Sequence, residues 1–207
     1  MSTTIHRSIR LALASLVGVA LIAQLAIGLS RSGLTVVQFF SYFTVLSNAL
    51  AVILLVMLAS RPGRDASPGF AVFRGAVTVY MIVTGLIYAI LIATVAGDVG
   101  VPEPWINWII HVLGPIAIAA DWIVNPPTVA LPRESLWIWL PFPAAYLVYS
   151  LIRGPIVDWY PYPFLDPAEA GYGAVAMWSG VVLVVILAFS YACYWWANRR
   201  LVVSRAA

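Results

Sequence analysis

Apolar runs of about 20 residues recur six times along the chain, at roughly 8–30, 35–60, 74–97, 105–125, 135–153 and 172–196. At about 1.5 Å per helical residue, each is long enough to cross a hydrocarbon core of about 30 Å. The chain is 63% hydrophobic and only 9% charged. A soluble domain carries about 25% charged residues, so an ordinary soluble globule is excluded. The breaks between runs hold charges and turn formers: Arg61-Pro-Gly-Arg-Asp65, Gly97-Asp-Val-Gly-Val-Pro-Glu-Pro104, Asn125-Pro-Pro127 and Gly154-Pro155. So little sequence lies between the runs that residues 1–207 are expected to form one membrane domain, an all-α bundle of six transmembrane helices.

Charge gives that bundle a direction. All 11 basic residues are arginine. In a six-span arrangement Arg7, Arg10, Arg61, Arg64, Arg74, Arg133, Arg199, Arg200 and Arg205 fall on one side, and Arg31 and Arg153 on the other. Asp98, Glu103, Asp158, Asp166 and Glu169 share the second side. The positive-inside rule then places both termini in the cytoplasm of a multi-pass cell-membrane protein. The net charge of +3 reads as orientation charge. No compact basic patch with interleaved aromatics marks a nucleic-acid partner. The first run follows Arg7 and Arg10 as a signal peptide would, but it exceeds a usual apolar core and has no convincing cleavage site before Arg31. It is read as a span. Cys193, the single cysteine, can form no internal disulfide. No repeat supports a transporter built by duplication.

Polar side chains avoid lipid, so the polar positions inside the runs show which faces turn inward. The second run has Gln38, Ser41, Thr44, Ser47 and Asn48, one continuous face on an uninterrupted helix. The fourth has Asn107, His111, Gly114, Asp121 and Asn125, again on one face. The third offers Arg74, Tyr80, Thr84 and Tyr88, and the fifth Tyr146, Tyr149, Ser150 and Arg153. The first has only Gln24 and small residues, and the sixth is aliphatic until Tyr191-Ala-Cys-Tyr-Trp-Trp196. Spans two to five are therefore expected to converge on an internal polar zone, with spans one and six facing lipid.

Each polar residue also has a bland reading. Buried serines and threonines often bond their own backbone or join neighbouring helices. His111, with Asn107 on its face, reads either as an inter-helix hydrogen bond or as a functional imidazole. Asp121 is expected to pair with Arg74 in a structural bridge. Trp and Tyr near span ends read as an interfacial belt. Depth favours function for one pair. Thr44 lies about nine residues, or roughly 13 Å, inside the second span, and His111 about six residues, or roughly 9 Å, inside the fourth from the same surface. A hydroxyl beside an imidazole in a water-poor pocket is the minimum pair for nucleophilic acyl transfer.

Phe40-Ser-Tyr-Phe-Thr-Val-Leu-Ser-Asn48, Arg74-Gly-Ala-Val-Thr-Val-Tyr80, the stretch Trp105 to Trp122, and Gly154-Pro-Ile-Val-Asp-Trp-Tyr-Pro-Tyr-Pro163 resemble a bacterial family of predicted six-span membrane proteins. That resemblance implies architecture more than activity. More distantly, the chain is similar to the androgen-induced and androgen-dependent TFPI-regulating membrane proteins, six-span hydrolases of fatty acid esters of hydroxy fatty acids. Their intramembrane threonine lies in a Tyr-x-Thr-x-x-Asn-like context, which Tyr42 to Asn48 matches with one extra residue before Asn48. Their histidine shortly precedes a Leu-Pro pair, which His111-Val-Leu-Gly-Pro115 matches with Gly114 inserted. The resemblance implies Thr44 as nucleophile and His111 as base; separately, no cofactor is expected.

The expected function is thus hydrolysis of a lipidic ester within the membrane, with membrane lipids and a lipidic small molecule as partners. Ser47, Asn48, Tyr88 and Asn107 are candidate substrate or oxyanion donors. Arg153 is a candidate for a substrate carboxylate, or a snorkelling residue at the interface. The loop from Gly154 to Glu169 alternates proline with aromatics, and reads as a cover over the outer mouth or as an ordinary ordered connection. The alternatives are a proton-coupled or small-solute transporter with His111 and Asp121 as relay groups, and a non-catalytic lipid-binding protein. A metal site is not expected, because one interior histidine without a nearby thiolate or carboxylate does not make a ligand set.

Overall fold

The computed structural model describes residues 3–60, 67–92 and 103–206, all helices and connections with no strand among the described residues. Six helical stretches are long and apolar enough to cross a membrane: Thr4–Arg31, Phe43–Ser60, Pro68–Leu91, Pro104–Val124, Ser135–Val157 and Gly171–Arg200. The breaks at 61–66 and 97–102, and the end of the third run at 93–97, lie outside the described residues.

Helix α1 (Thr3–Arg31) runs unbroken until Gly33, whose φ of 65° turns the chain back. Its small residues Ala14, Val17 and Ala20 are buried against α3 (Phe43–Ser60) and the fourth span. Between them lies α2 (Val36–Phe40), a single turn started by a capping box in which Thr35 and Gln38 satisfy each other's backbone amides. Here the expectation of one continuous second helix fails. The Ser41 carbonyl accepts a hydrogen bond from Tyr146 Oη at 3.0 Å, and Ser41 Oγ lies 2.7 Å from the Val37 carbonyl and 2.8 Å from Tyr149 Oη. These bonds replace helical ones and break the helix at Ser41–Tyr42. The Gln38 side chain is instead spent on Thr35 at the start of α2, and Thr44 sits in the first turn of α3.

The third span, α4 (Pro68–Ile87), starts earlier than expected, with proline in its first turn, and continues as a π-helical turn over Tyr88–Ile92. Arg74 therefore lies within the helix and is 1% exposed. The fourth span comprises α5 (Pro104–Trp108), a π-helical turn at Ile109–Leu113, and α6 (Gly114–Val124). Pro115 explains the irregularity. It has no N–H to offer the His111 carbonyl four residues earlier, so the turn around His111 widens. That carbonyl lies against α4, where a Cβ on Gly85 would stand 3.2 Å from it.

The fifth span divides into α7 (Ser135–Ile138) and α8 (Pro141–Val157). It passes through the expected break at Gly154-Pro155 and ends at Asp158, in the left-handed region at φ 49°. Trp139, fully buried between the two pieces, fills the notch that Gly75 leaves in α4 and donates from Nε1 to the Val72 carbonyl at 2.8 Å. The last helix, α9 (Pro167–Ala206), kinks at Gly171, where φ is 77°. Buried clusters join α1, α3, α4 and the fourth span, and a further one runs from α3 and α4 through Trp139, Tyr162 and Leu165 to Val175, Ile186, Cys193 and Ala197 of α9. Spans five and six are the least enclosed overall, yet span five turns its polar face inward as expected, with Tyr146 and Tyr149 on Ser41 and Ser150 buried. Apolar side chains cover the outer faces: Ile22 is 70% exposed, Ile156 75% and Val184 65%. A monomer in water rarely presents so much apolar surface.

Candidate functional site

The corner at Ser41–Tyr42 places the start of α3 against the fourth span. A helix start leaves backbone N–H groups without partners, and the N–H of Thr44 donates to Tyr162 Oη at 3.1 Å. The Thr44 hydroxyl lies 3.1 Å from the same Tyr162 oxygen and 3.2 Å from His111 Nε2. All three side chains are buried.

The direction of these bonds follows from the far side of the imidazole. His111 Nδ1 lies 3.3 Å from the Asn107 carbonyl, which can only accept. Nδ1 therefore carries the proton, and in a neutral imidazole Nε2 is then the acceptor. The Thr44 hydroxyl donates to Nε2, leaving its lone pairs to accept from Tyr162. Tyr162 belongs to the connection between spans five and six, and burial raises its phenol above the ordinary tyrosine range, so it keeps the proton it donates. A directed chain results, from Tyr162 O–H to Thr44 Oγ1, from Thr44 O–H to His111 Nε2, and from His111 Nδ1–H to the Asn107 carbonyl.

Neighbours fix the ring. Tyr88 stacks on His111 with centroids 4.3 Å apart and planes 19° apart, and the Asn107 side-chain amide donates to Tyr88 Oη. Asn48 clips α3 to the fourth span, its amide donating to the Thr44 carbonyl at 2.9 Å and to the Ile110 carbonyl at 3.0 Å. Gly114 leaves room for this amide, since a Cβ there would stand 3.2 Å from Asn48 Oδ1.

Thr44 also faces a cavity of about 410 Å³. Phe43 and Thr44 of α3, Val83, Thr84 and Ile87 of α4, and residues of α8 and α9 form its walls, with Tyr162, Phe164 and Leu165 closing one end. The lining is almost wholly apolar, with Thr44, Thr84, Ser179 and the phenols of Tyr146 and Tyr162 as its polar groups. Two of those hydroxyls, Thr84 Oγ1 and Ser179 Oγ, have no hydrogen-bond partner among the described residues.

The structure thus joins Thr44 to His111 and surrounds them with Asn48, Tyr88 and Asn107, but it distributes the candidate donors differently from the sequence reading. Ser47, Asn48, Tyr88 and Asn107 are absent from the cavity lining, and both Asn48 amide protons are committed to carbonyls. Arg153 stacks its guanidinium 5.2 Å above the Trp159 ring, also away from the cavity. Asp121 meets Arg74 as expected, at 2.9 Å, and also Arg10 at 2.9 Å. Sequence reasoning missed Tyr162 and Arg10 as partners in these sites and Ser179 as a lining residue of the cavity. Only Tyr162 left a signal, the alternation Trp159-Tyr-Pro-Tyr-Pro163. No protein-family model, curated protein or solved structure matches the chain.

Proposed function

We propose that the chain is a membrane-embedded hydrolase of a lipidic ester, with Thr44 as nucleophile and His111 as general base and then general acid. The observation that carries this reading is the contact between Thr44 Oγ1 and His111 Nε2 at 3.2 Å, at the wall of an apolar cavity. Thr44 Oγ1 attacks the ester carbonyl carbon while its proton passes to Nε2. The tetrahedral intermediate expels the alcohol, which takes that proton, and an acyl-Thr44 ester remains. Water then attacks the acyl group with His111 again as base, releasing the fatty acid and restoring the hydroxyl. Substrate enters from membrane lipids, and no cofactor takes part. Both termini face the cytoplasm, as the arginine distribution argues, in a multi-pass protein of the cell membrane.

A transporter reading would use Asp121 as a proton relay. That carboxylate already accepts from two guanidiniums and from Asn125 Nδ2 at 3.0 Å, an arrangement suited to joining helices. The cavity alone would serve a lipid-binding protein, but the directed Thr44–His111 bond at its wall favours hydrolysis. The test is turnover of a long-chain p-nitrophenyl ester by protein in detergent or liposomes. Thr44→Ala and His111→Ala should each lose nearly all turnover while folding normally. Thr44→Ser should keep part of it, because the hydroxyl survives without the methyl that fixes its rotamer. Full turnover by Thr44→Ala would exclude the mechanism.

A further inference from the structure

The cavity contains hydrogen-bond donors that the Thr44–His111 chain does not use. Thr84, on α4, is 5% exposed, and its Oγ1 has no partner among the described residues. A buried threonine in a helix has an easy partner in the carbonyl four residues earlier. Thr78 in the same helix takes that option, donating to the Arg74 carbonyl at 2.9 Å, whereas Thr84 lines the cavity with its hydroxyl unpaired. Leaving such a group unsatisfied costs about 1–3 kcal/mol. A fold that keeps Thr84, like Ser179, unpaired at the wall of a mostly apolar cavity leaves a place there for an acceptor from outside the chain, and a pure hydrocarbon has none.

Thr84 also stands at the level of the imidazole. The next residue, Gly85, is packed against the His111 carbonyl, and Tyr88, one turn on, stacks on the His111 ring. The same short stretch of α4 therefore flanks both the base and the cavity that Thr44 faces. Backbone amides cannot serve as donors from within α4, because helical bonding already uses them.

We propose that the Thr84 hydroxyl is the donor that receives the acyl carbonyl oxygen, making Thr84 a catalytic residue for ester substrates whose acyl chain lies in this cavity. The proposal rests on the hydrolase reading and adds the group that takes up the developing charge. As Thr44 Oγ1 bonds to the carbonyl carbon and its proton moves to His111 Nε2, the carbonyl π pair moves onto oxygen, which accepts a hydrogen bond from Thr84. The pair returns to the C–O bond as the bond to the leaving alcohol breaks and His111 gives that alcohol its proton. A donor of this kind acts on the transition state more than on the bound ester.

The test compares Thr84→Val, which keeps the shape and removes the hydroxyl, with Thr84→Ser, which keeps the hydroxyl. A long-chain p-nitrophenyl ester is the substrate, and the thermal midpoint of each purified protein is measured alongside. Thr84→Val should lower kcat on the order of 10²-fold with little change in KM, while its thermal midpoint stays level or rises because an unpaired buried hydroxyl has been removed. Thr84→Ser should recover most of the kcat. Wild-type kcat in Thr84→Val, or a fall in its thermal midpoint, would overturn the role of Thr84 and leave the hydrolase reading standing. Absence of ester turnover in the wild-type protein would remove both.

Discussion

His111 is held at both nitrogens, and that defines its chemistry. The Asn107 carbonyl fixes the proton on Nδ1, so the basic nitrogen points at Thr44 Oγ1. Tyr162 gives the threonine hydroxyl a second anchor. It bonds Thr44, and in the proposed mechanism it positions the hydroxyl. Tyr162→Phe should therefore slow ester turnover by about two- to tenfold, the worth of one hydrogen bond of about 0.5–1.5 kcal/mol. Stopped-time assays of the purified variant check this, and unchanged kcat would remove Tyr162 from the site. Thr44 and His111 were legible in the sequence because each is a polar residue in an apolar run. The depth count, however, assumed one continuous second helix, and the corner at Ser41–Tyr42 puts Thr44 in the first turn of α3 instead. Tyr162 was not legible, because an aromatic in a proline-rich connection has many ordinary explanations, and nothing in its spacing tells which helix start it will cap.

At the scale of elements, two irregularities make the site. The break at Ser41–Tyr42 frees the first turn of α3, and the widened turn before Pro115 carries His111. The apolar runs announce six helices, but the corner depends on Tyr146 and Tyr149 reaching Ser41 from a helix about a hundred residues later. Such partners have no local sequence signal. The same holds at the other end of the bundle. Asp121 and Arg74 were expected to meet, yet Arg10 joins them from α1 and ties three spans together. Removing one member of a buried ionic group leaves the others uncompensated. With Asp121 16% exposed, Asp121→Asn should cost about 2–4 kcal/mol of stability. The expected result is a lower thermal midpoint in detergent with kcat per folded molecule retained. Unaltered stability would mean that the network does not hold the helices.

For the whole molecule, six apolar helices with apolar outer faces set the architecture, and the proposed orientation rests on the arginine distribution. Reporter fusions at residues 130 and 160 should report opposite sides of the membrane, with residue 130 in the cytoplasm; the same side for both would contradict the six-span arrangement. Exposed as they are, spans five and six still enclose the cavity against α3 and α4, so the nucleophile candidate faces an apolar space. The most direct test of the central claim is to treat the membrane-embedded protein with an acylating or fluorophosphonate probe of serine hydrolases and locate the adduct by mass spectrometry. A covalent adduct on Thr44 that disappears in His111→Ala is the predicted result. An adduct on another residue, or equal labelling of Thr44 without the imidazole, would contradict it.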